Sequence, residues 1–316
     1  MKQRSLSEIA LWLQERDDFT ILTHRRPDGD TIGCAAALCR GLRQLGKTAS
    51  ILENPQFTEK YRPYLRDLTA QQLGGHVISV DVAAETMFPF SYEGQQPVEL
   101  LIDHHGSNTG FAPEGYVDAS AAACGEIILA LLQELGVQPD PVIGEALYLA
   151  VSTDTGCFRY SNASPETHRA AAALLEAGFD SADLNHRLFG VKSYKLLQAE
   201  KVGFDRLRLY ADGKLGIVAM PFDLMEQYGF TDEHLGTLVD VARGLQGVQV
   251  AVAIRQPKAE GVYRVSMRSS CEGDVAAICA EFGGGGHIKA AGCTVSCDDG
   301  MDKVVEQVSR AVLAVL

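Results

Sequence analysis

The chain opens as an alternation of amphipathic stretches and short, wholly apolar runs. Residues 5–17 place apolar side chains at helical spacing behind Ser5 or Ser7, either of which can cap a helix. Residues 19–23 read as a short buried strand. From Asp30 to Leu45 the positions Ala35, Leu38, Leu42 and Leu45 return to helical spacing, with Gly46 as the stop. Runs at 48–53, 76–81 and 98–102 predict further strands, and 121–135, 141–152, 165–177 and 180–189 predict helices. Such alternation implies a parallel sheet with helices on both faces. From Val191 to Arg208 the chain is more charged and predicts a connecting helix. Strand-like runs at 207–211, 214–220, 248–255 and 261–268 then follow closely, with late helices at 274–282 and 301–315. The predicted fold class is therefore α/β. A parallel-sheet domain (1–190) is joined by a helical linker (191–204) to a smaller α+β domain (205–316).

Composition narrows the picture. A length of 316 residues favours two domains, and 46% hydrophobic with 22% charged residues is an ordinary soluble composition. The net charge of −13 argues against a broad basic surface for long duplex nucleic acid, although a short nucleotide in a focused pocket stays compatible. The first residues do not form a signal peptide, and no run approaches the roughly 18 apolar residues that span a bilayer. The expectation is a cytoplasmic protein that does not engage membranes. None of the eight cysteines forms a Cys-x-x-Cys pair, so they read as small core residues rather than a zinc ribbon.

Acidic and histidine residues cluster where apolar runs break off. His24, Asp28 and Asp30 fall in HRRPDGD after FTILT. Asp81 follows HVISV, Asp103, His104 and His105 end VELLI, and Asp154 follows LYLAVST. Each alone reads equally well as a polar turn or cap. Together they point to strand ends converging on a metal centre, since ligands bind at the carboxyl ends of strands in open α/β sheets. His24, Asp28, Asp30, Asp81, His104 and Asp154 make six candidate ligands. Six protein ligands would saturate one octahedral ion. Two ions sharing a carboxylate keep open positions, an arrangement suited to phosphoryl hydrolysis. Carboxylates with some imidazole and no thiolate favour Mn²⁺ or Mg²⁺. Adjacent side chains at a strand end diverge, so one of His104 and His105 can bind metal while the other faces substrate. Asp103 can then orient a histidine.

A second feature is EFGGGGHIKAAGC at 281–293. Glycines let a backbone approach a ligand closely, and amides where His287 opens the next segment can receive an anion. Arg268, ending VYRVSM, can fork onto a phosphate or carboxylate.

These residues resemble the DHH phosphoesterase superfamily. HRRPDGDTIG, the aspartate of VISVD, IDHH and STDTG are similar to its four motifs in order, and FGGGGHIKAAG to its DHH-associated C-terminal domain. The two-domain layout is similar to the oligoribonucleases called nanoRNases. The resemblance implies one metal held by His24, Asp28 and Asp81, and another by Asp30, Asp81, His104 and Asp154. Asp81, Asp103 and His105 would be the catalytic set, with Asp103 behind the histidines. His105, Arg268, Gly284, Gly285, Gly286 and His287 would bind substrate. It also implies two divalent cations, Mn²⁺ first with Mg²⁺ or Co²⁺ as alternatives. The partners would be short RNA oligonucleotides or mononucleotide bisphosphates, with a homodimer left open. The implied activity is hydrolysis of short oligoribonucleotides to nucleoside 5′-monophosphates and of 3′-phosphoadenosine 5′-phosphate to AMP. A cyclic or linear dinucleotide phosphodiesterase is the first alternative, followed by an inorganic pyrophosphatase of the same superfamily and a non-catalytic RNA-binding module. Two departures, Cys34 where a serine is common and IKAAG after the glycine-histidine element, are expected to touch no ligand.

Overall fold

A computed structural model describes residues 1–92, 94, 96–259 and 261–316. The chain divides into two compact units, Met1–Val191 and Lys192–Leu316.

The first unit contains β1 (Lys2–Gln3), α1 (Leu6–Gln14), β2 (Phe19–Leu22), α2 (Gly29–Gln44), β3 (Ala49–Leu52), β4 (Thr69–Ala70), β5 (His76–Val80), β6 (Leu100–Asp103), β7 (Glu114–Val117), α3 (Cys124–Glu134), α4 (Pro141–Asp154), α5 (Pro165–Leu175) and α6 (Ser181–Asn185). Ser5 caps α1 in a capping box with Glu8. The seven strands form one parallel sheet in the order β1-β7-β6-β5-β2-β3-β4. β2 and β6 are buried along their whole length, and β5 in all but its first residue, which explains their near-continuous apolar sequences. From β2 the chain proceeds outward to β3 and β4, and from β5 it proceeds the other way to β6 and β7. The gap between the carboxyl ends of β2 and β5 is thus a topological switch point, where such sheets bind ligands.

The helices and one sheet face form the main core, including Ile9, Ile21, Leu38, Ile78, Ile102, Ile128 and Leu147. The expectation of helices on both faces holds for this face only. On the other, Leu22, Leu52, Val77 and Leu101 are covered by irregular segments carrying Leu73, Phe88, Tyr92 and Phe111. Phe88 meets Tyr92 and Phe111 edge-on at 5.0 and 5.2 Å. β7 was not anticipated, because EGYV has little apolar signal and earns its place by pairing with β6.

α2 and α4 pack unusually closely. A Cβ on Gly33 would lie 2.2 Å from the Ala146 carbonyl oxygen, and one on Gly29 2.3 Å from Thr153 Oγ1. The start of α2 therefore lies against the end of α4.

The second unit contains α7 (Tyr194–Arg206), β8 (Leu207–Tyr210), β9 (Leu215–Met220), α8 (Phe222–Tyr228), α9 (Leu238–Arg243), β10 (Val250–Arg255), β11 (Val262–Ser269), α10 (Val275–Glu281), β12 (Gly285–His287), β13 (Ala290–Ser296) and α11 (Met301–Leu313). The segment expected as a linker is mostly α7, whose Ala199 and Val202 are buried in this unit's core. The six strands run β12-β13-β11-β10-β9-β8, with β9 and β10 parallel and the other pairs antiparallel. One face buries Val252, Val265, Met267 and Cys293 with Ile278 of α10 and Val308 of α11. The other buries Val218 and Ala251 with residues of α7, α8 and α9. Among the described residues, no helix is long and apolar enough to cross a membrane.

Candidate metal centre

The switch point carries the acidic and histidine residues. His24 lies two residues past β2, Asp81 directly follows β5, and Asp103 ends β6 with His104 and His105 beyond it. Asp28 caps α2, its Oδ1 accepting from the Asp30 and Thr31 amides at 3.1 and 3.2 Å. Asp30 sits in the first turn of α2 and is fully buried. Asp154 is the last residue of helix α4 rather than part of a loop, so it arrives from the helical layer. The close α2–α4 contact brings it to Asp30.

Three groups of side chains place candidate ligand atoms within 4.8 Å of one another: His24, Asp28 and Asp81; Asp30, His104 and Asp154; and Asp81, His104 and His105. His24 Nε2 is 3.5 Å from Asp28 Oδ1 and 3.8 Å from Asp81 Oδ2. His104 Nε2 is 3.3 Å from Asp154 Oδ2, 3.6 Å from Asp30 Oδ2 and 3.5 Å from Asp81 Oδ1. Asp81 faces both histidines with different oxygens. His105 Nδ1 also comes within 3.5 Å of Asp81 Oδ1, so the two adjacent histidines diverge less than strand geometry implied.

The charges are set against one another. Burial, together with the neighbouring Asp30 and Asp28 carboxylates, pushes Asp81 well above the usual carboxylate range. Asp154 is raised by the same causes. Asp30 is raised by burial, with His104 attracting and Asp28 repelling its charge. Asp28, whose side chain is exposed, is held down at about 2 by His24 and two backbone amides. Asp81 Oδ1 is buried without a hydrogen-bond partner among the described residues. A buried carboxylate in that state calls for a cation, and the oxygen-and-imidazole donor set suits a hard or borderline divalent ion. The residues present thus fit a metal centre.

Around this cluster the supporting bonds are specific. Asp103 Oδ1 accepts from the His104 amide at 2.8 Å and meets His105 Nδ1 at 2.7 Å. Its Oδ2 accepts from Asn108 Nδ2 at 2.6 Å. Despite burial, the contact with His105 holds Asp103 below the usual range, and Asp103 in turn raises His105. His104 Nδ1 lies 3.2 Å from the Ala121 carbonyl oxygen, which directs Nε2 to the carboxylates. Asp30 accepts from the Cys124 and Gly125 amides at 2.7 and 3.0 Å, doing for α3 what no side chain at its own N-cap does. Cys34, expected to touch no ligand, donates its thiol to Asp30 Oδ1 at 3.2 Å. Asn54 and Asn108 escaped the sequence reading. Asn54 is buried and donates to the His24 carbonyl oxygen, and neither asparagine lies at a recognisable motif position.

In the second unit the glycine run forms a hairpin. β12 pairs with β13 across a turn at Ile288 and Lys289. A Cβ on Gly284 would lie 2.3 Å from the Gly292 carbonyl oxygen, and Gly286, at φ +142°, would meet the Ala290 oxygen at 2.6 Å. Only Gly285 of these three faces open space. Arg268 of β11 is paired with Ala290, which is paired with His287. Cross-strand partners share a face, so Arg268 and His287 flank a small alanine on one side of the sheet.

The DHH family model, N-terminal domain, matches residues 18–151, and the DHHA1 domain model matches residues 214–314. The bifunctional oligoribonuclease and PAP phosphatase NrnA of Thermus thermophilus is 35% identical over 302 residues, covering 92% of this chain and 88% of its own. The protein of the same description from Bacillus subtilis is 24% identical over 312 residues, 96% of each chain. The solved structure of an exopolyphosphatase-related protein from Bacteroides fragilis shares the fold, with a TM-score of 0.88 over 98% of this chain and 95% of its own at 19% identity.

Proposed function

The chain belongs to the DHH phosphoesterase family, and from that premise we propose that it cleaves short oligoribonucleotides to nucleoside 5′-monophosphates and 3′-phosphoadenosine 5′-phosphate to AMP. The activity depends on two divalent cations, Mn²⁺ foremost. His24, Asp28 and Asp81 would hold one, and Asp30, His104 and Asp154 the other, with Asp81 shared. The observation that carries this reading is the position of Asp81. It presents Oδ2 to His24 and Oδ1 to His104, at 3.8 and 3.5 Å. The descriptions of the Thermus and Bacillus relatives support the substrates.

When bound, the cations supply Lewis-acid activation of water and neutralise charge building on the phosphoryl oxygens. The chain's own residues do the rest. Asp103 fixes His105 through Nδ1 and favours the imidazolium, leaving Nε2–H to donate to a phosphate oxygen. Arg268 and His287, flanking Ala290, grip the substrate's phosphate or nucleoside, and the open Gly285 lets a ligand approach the hairpin.

The test is a substrate panel with Mn²⁺: a diribonucleotide, 3′-phosphoadenosine 5′-phosphate, a cyclic dinucleotide and pyrophosphate. The first two should give the highest kcat/KM. Turnover confined to pyrophosphate would overturn the assignment.

A further inference from the structure

Five residues with no acidic or basic side chain, Ala121 to Gly125, lie at the junction of the candidate metal ligands. The Ala121 carbonyl oxygen orients His104. The Cys124 and Gly125 amides hold Asp30. Asp154 comes from a different helix. The connection runs through Asn162, whose Nδ2 donates to the Ala122 and Asp154 carbonyl oxygens at 3.1 Å each.

The chain between Asp154 and Asn162 is shaped to make this reach. Gly156, Cys157 and Phe158 follow one another in the left-handed region at φ +56°, +58° and +60°. Two of them are L-residues with side chains, for which that region is unfavourable. The turn reverses the chain after α4, and Arg159 Nε closes it on the Gly156 oxygen at 2.7 Å.

We infer that Asn162 is a positioning residue of the metal centre: one amide group locks the helix end bearing Asp154 onto the segment that sets His104 and Asp30. The inference rests on the metal-centre reading proposed above. Loss of the tie leaves the carboxylate attached to a strained turn, free to drift from its partners. Residues that orient metal ligands typically change metal affinity by about 10–100-fold.

The experiment titrates the full chain with Mn²⁺, reading free ion by its paramagnetic resonance signal, with melting temperatures in chelator as the check on folding. Asn162→Ala should weaken binding about tenfold or more. Asn162→Asp, the same shape with no amide to donate, should do no better, which separates hydrogen bonding from packing. Asp154→Ala should weaken binding at least as much. Wild-type affinity in both Asn162 variants, with loss in Asp154→Ala, would overturn the positioning role and leave the metal centre standing. Wild-type affinity in all three would remove the metal-centre reading itself. Retained affinity in Asn162→Asp alone would reduce Asn162 to a space-filling part and defeat the inference.

Discussion

The α2–α4 contact can be tested at Gly33. Replacement by alanine places a Cβ 2.2 Å from the Ala146 carbonyl oxygen and 2.9 Å from the Ala150 Cβ. Ordinary contact needs about 3.5 Å, so one helix must move by roughly 1 Å. The obstacle is backbone inside a helix and cannot rotate away. Overpacking of this kind costs about 1–3 kcal/mol, offset by the roughly 0.5–1 kcal/mol that alanine gains over glycine in a helix. The net loss should be about 0.5–2 kcal/mol. For a unit the size of Met1–Val191, that lowers the Tm by roughly 1–8 °C. The same displacement separates Asp30 from Asp154, so Mn²⁺ affinity should fall by about tenfold. Gly41 is the internal control. It lies in the same helix and gains the same propensity, but its new Cβ meets only the Leu132 Cδ2, the end of a rotatable side chain, at 2.4 Å. Melting curves in chelator and a Mn²⁺ titration should show Gly33→Ala impaired on both measures and Gly41→Ala close to wild type. A Gly33→Ala protein that melts no lower and binds Mn²⁺ normally would refute the reasoning.

Three further outcomes follow from the charges. Asp81, Asp154 and Asp30 bind protons more tightly folded than unfolded, so the metal-free protein should lose stability as pH rises from the ordinary carboxylate range through their raised values. Bound Mn²⁺ keeps them ionised, so at one fixed Mn²⁺ concentration, chosen as one hundred times the pH 8 Kd to stabilise by about 2.7 kcal/mol there, the Tm gain should be larger at pH 8 than at pH 5; an equal gain at both would contradict the charge balance. In chelator, Asp30→Ala should lower the Tm because it strands the buried Cys124 and Gly125 amides, at about 1–3 kcal/mol each, whereas Asp154→Ala should raise it by removing a repelling carboxylate. Matching shifts in the two variants would show that capping plays no part. Asp103→Asn removes the group that raises His105, so the alkaline limb of kcat/KM should move to lower pH, and an unmoved limb would take His105 out of the protonated role.

The strands that build the switch point were legible because burial on both faces leaves an unbroken apolar run, as in FTILT and HVISV. β7 was not, since its place depends on an edge offered by β6. The helical termination of Asp154 was also hidden: the apolar pattern predicts a helix only to 152, and the intrahelical bonds extend α4 to Asp154. The candidate ligand residues stood out as polar residues at the ends of apolar runs. Their supports did not, because a backbone oxygen at Ala121 or an amide at Cys124 has no side-chain signature. The glycine run shows a similar limit. Its composition signals close approach, but not that the Gly292 and Ala290 carbonyls are what approach Gly284 and Gly286.

The cluster divides into side chains fixed by the fold and side chains left to respond to charge. Asp103, Asp30 and His104 each have a backbone or side-chain partner that sets their orientation. Asp28 is fixed by the helix it caps. Asp81 is different. Its backbone sits at φ +57°, a conformation aspartate tolerates better than most residues, and its Oδ1 is buried without a hydrogen bond among the described residues. Asp154 ends a helix, where the dipole opposes a negative charge. Both carboxylates are also pushed well above their ordinary range. The two raised carboxylates, one at the strand end and one at the helix end, are those whose ionised form a bound cation would favour most. That division reconciles a cluster this rich in negative charge with an apolar core beside it, while keeping a site that would suit a cation.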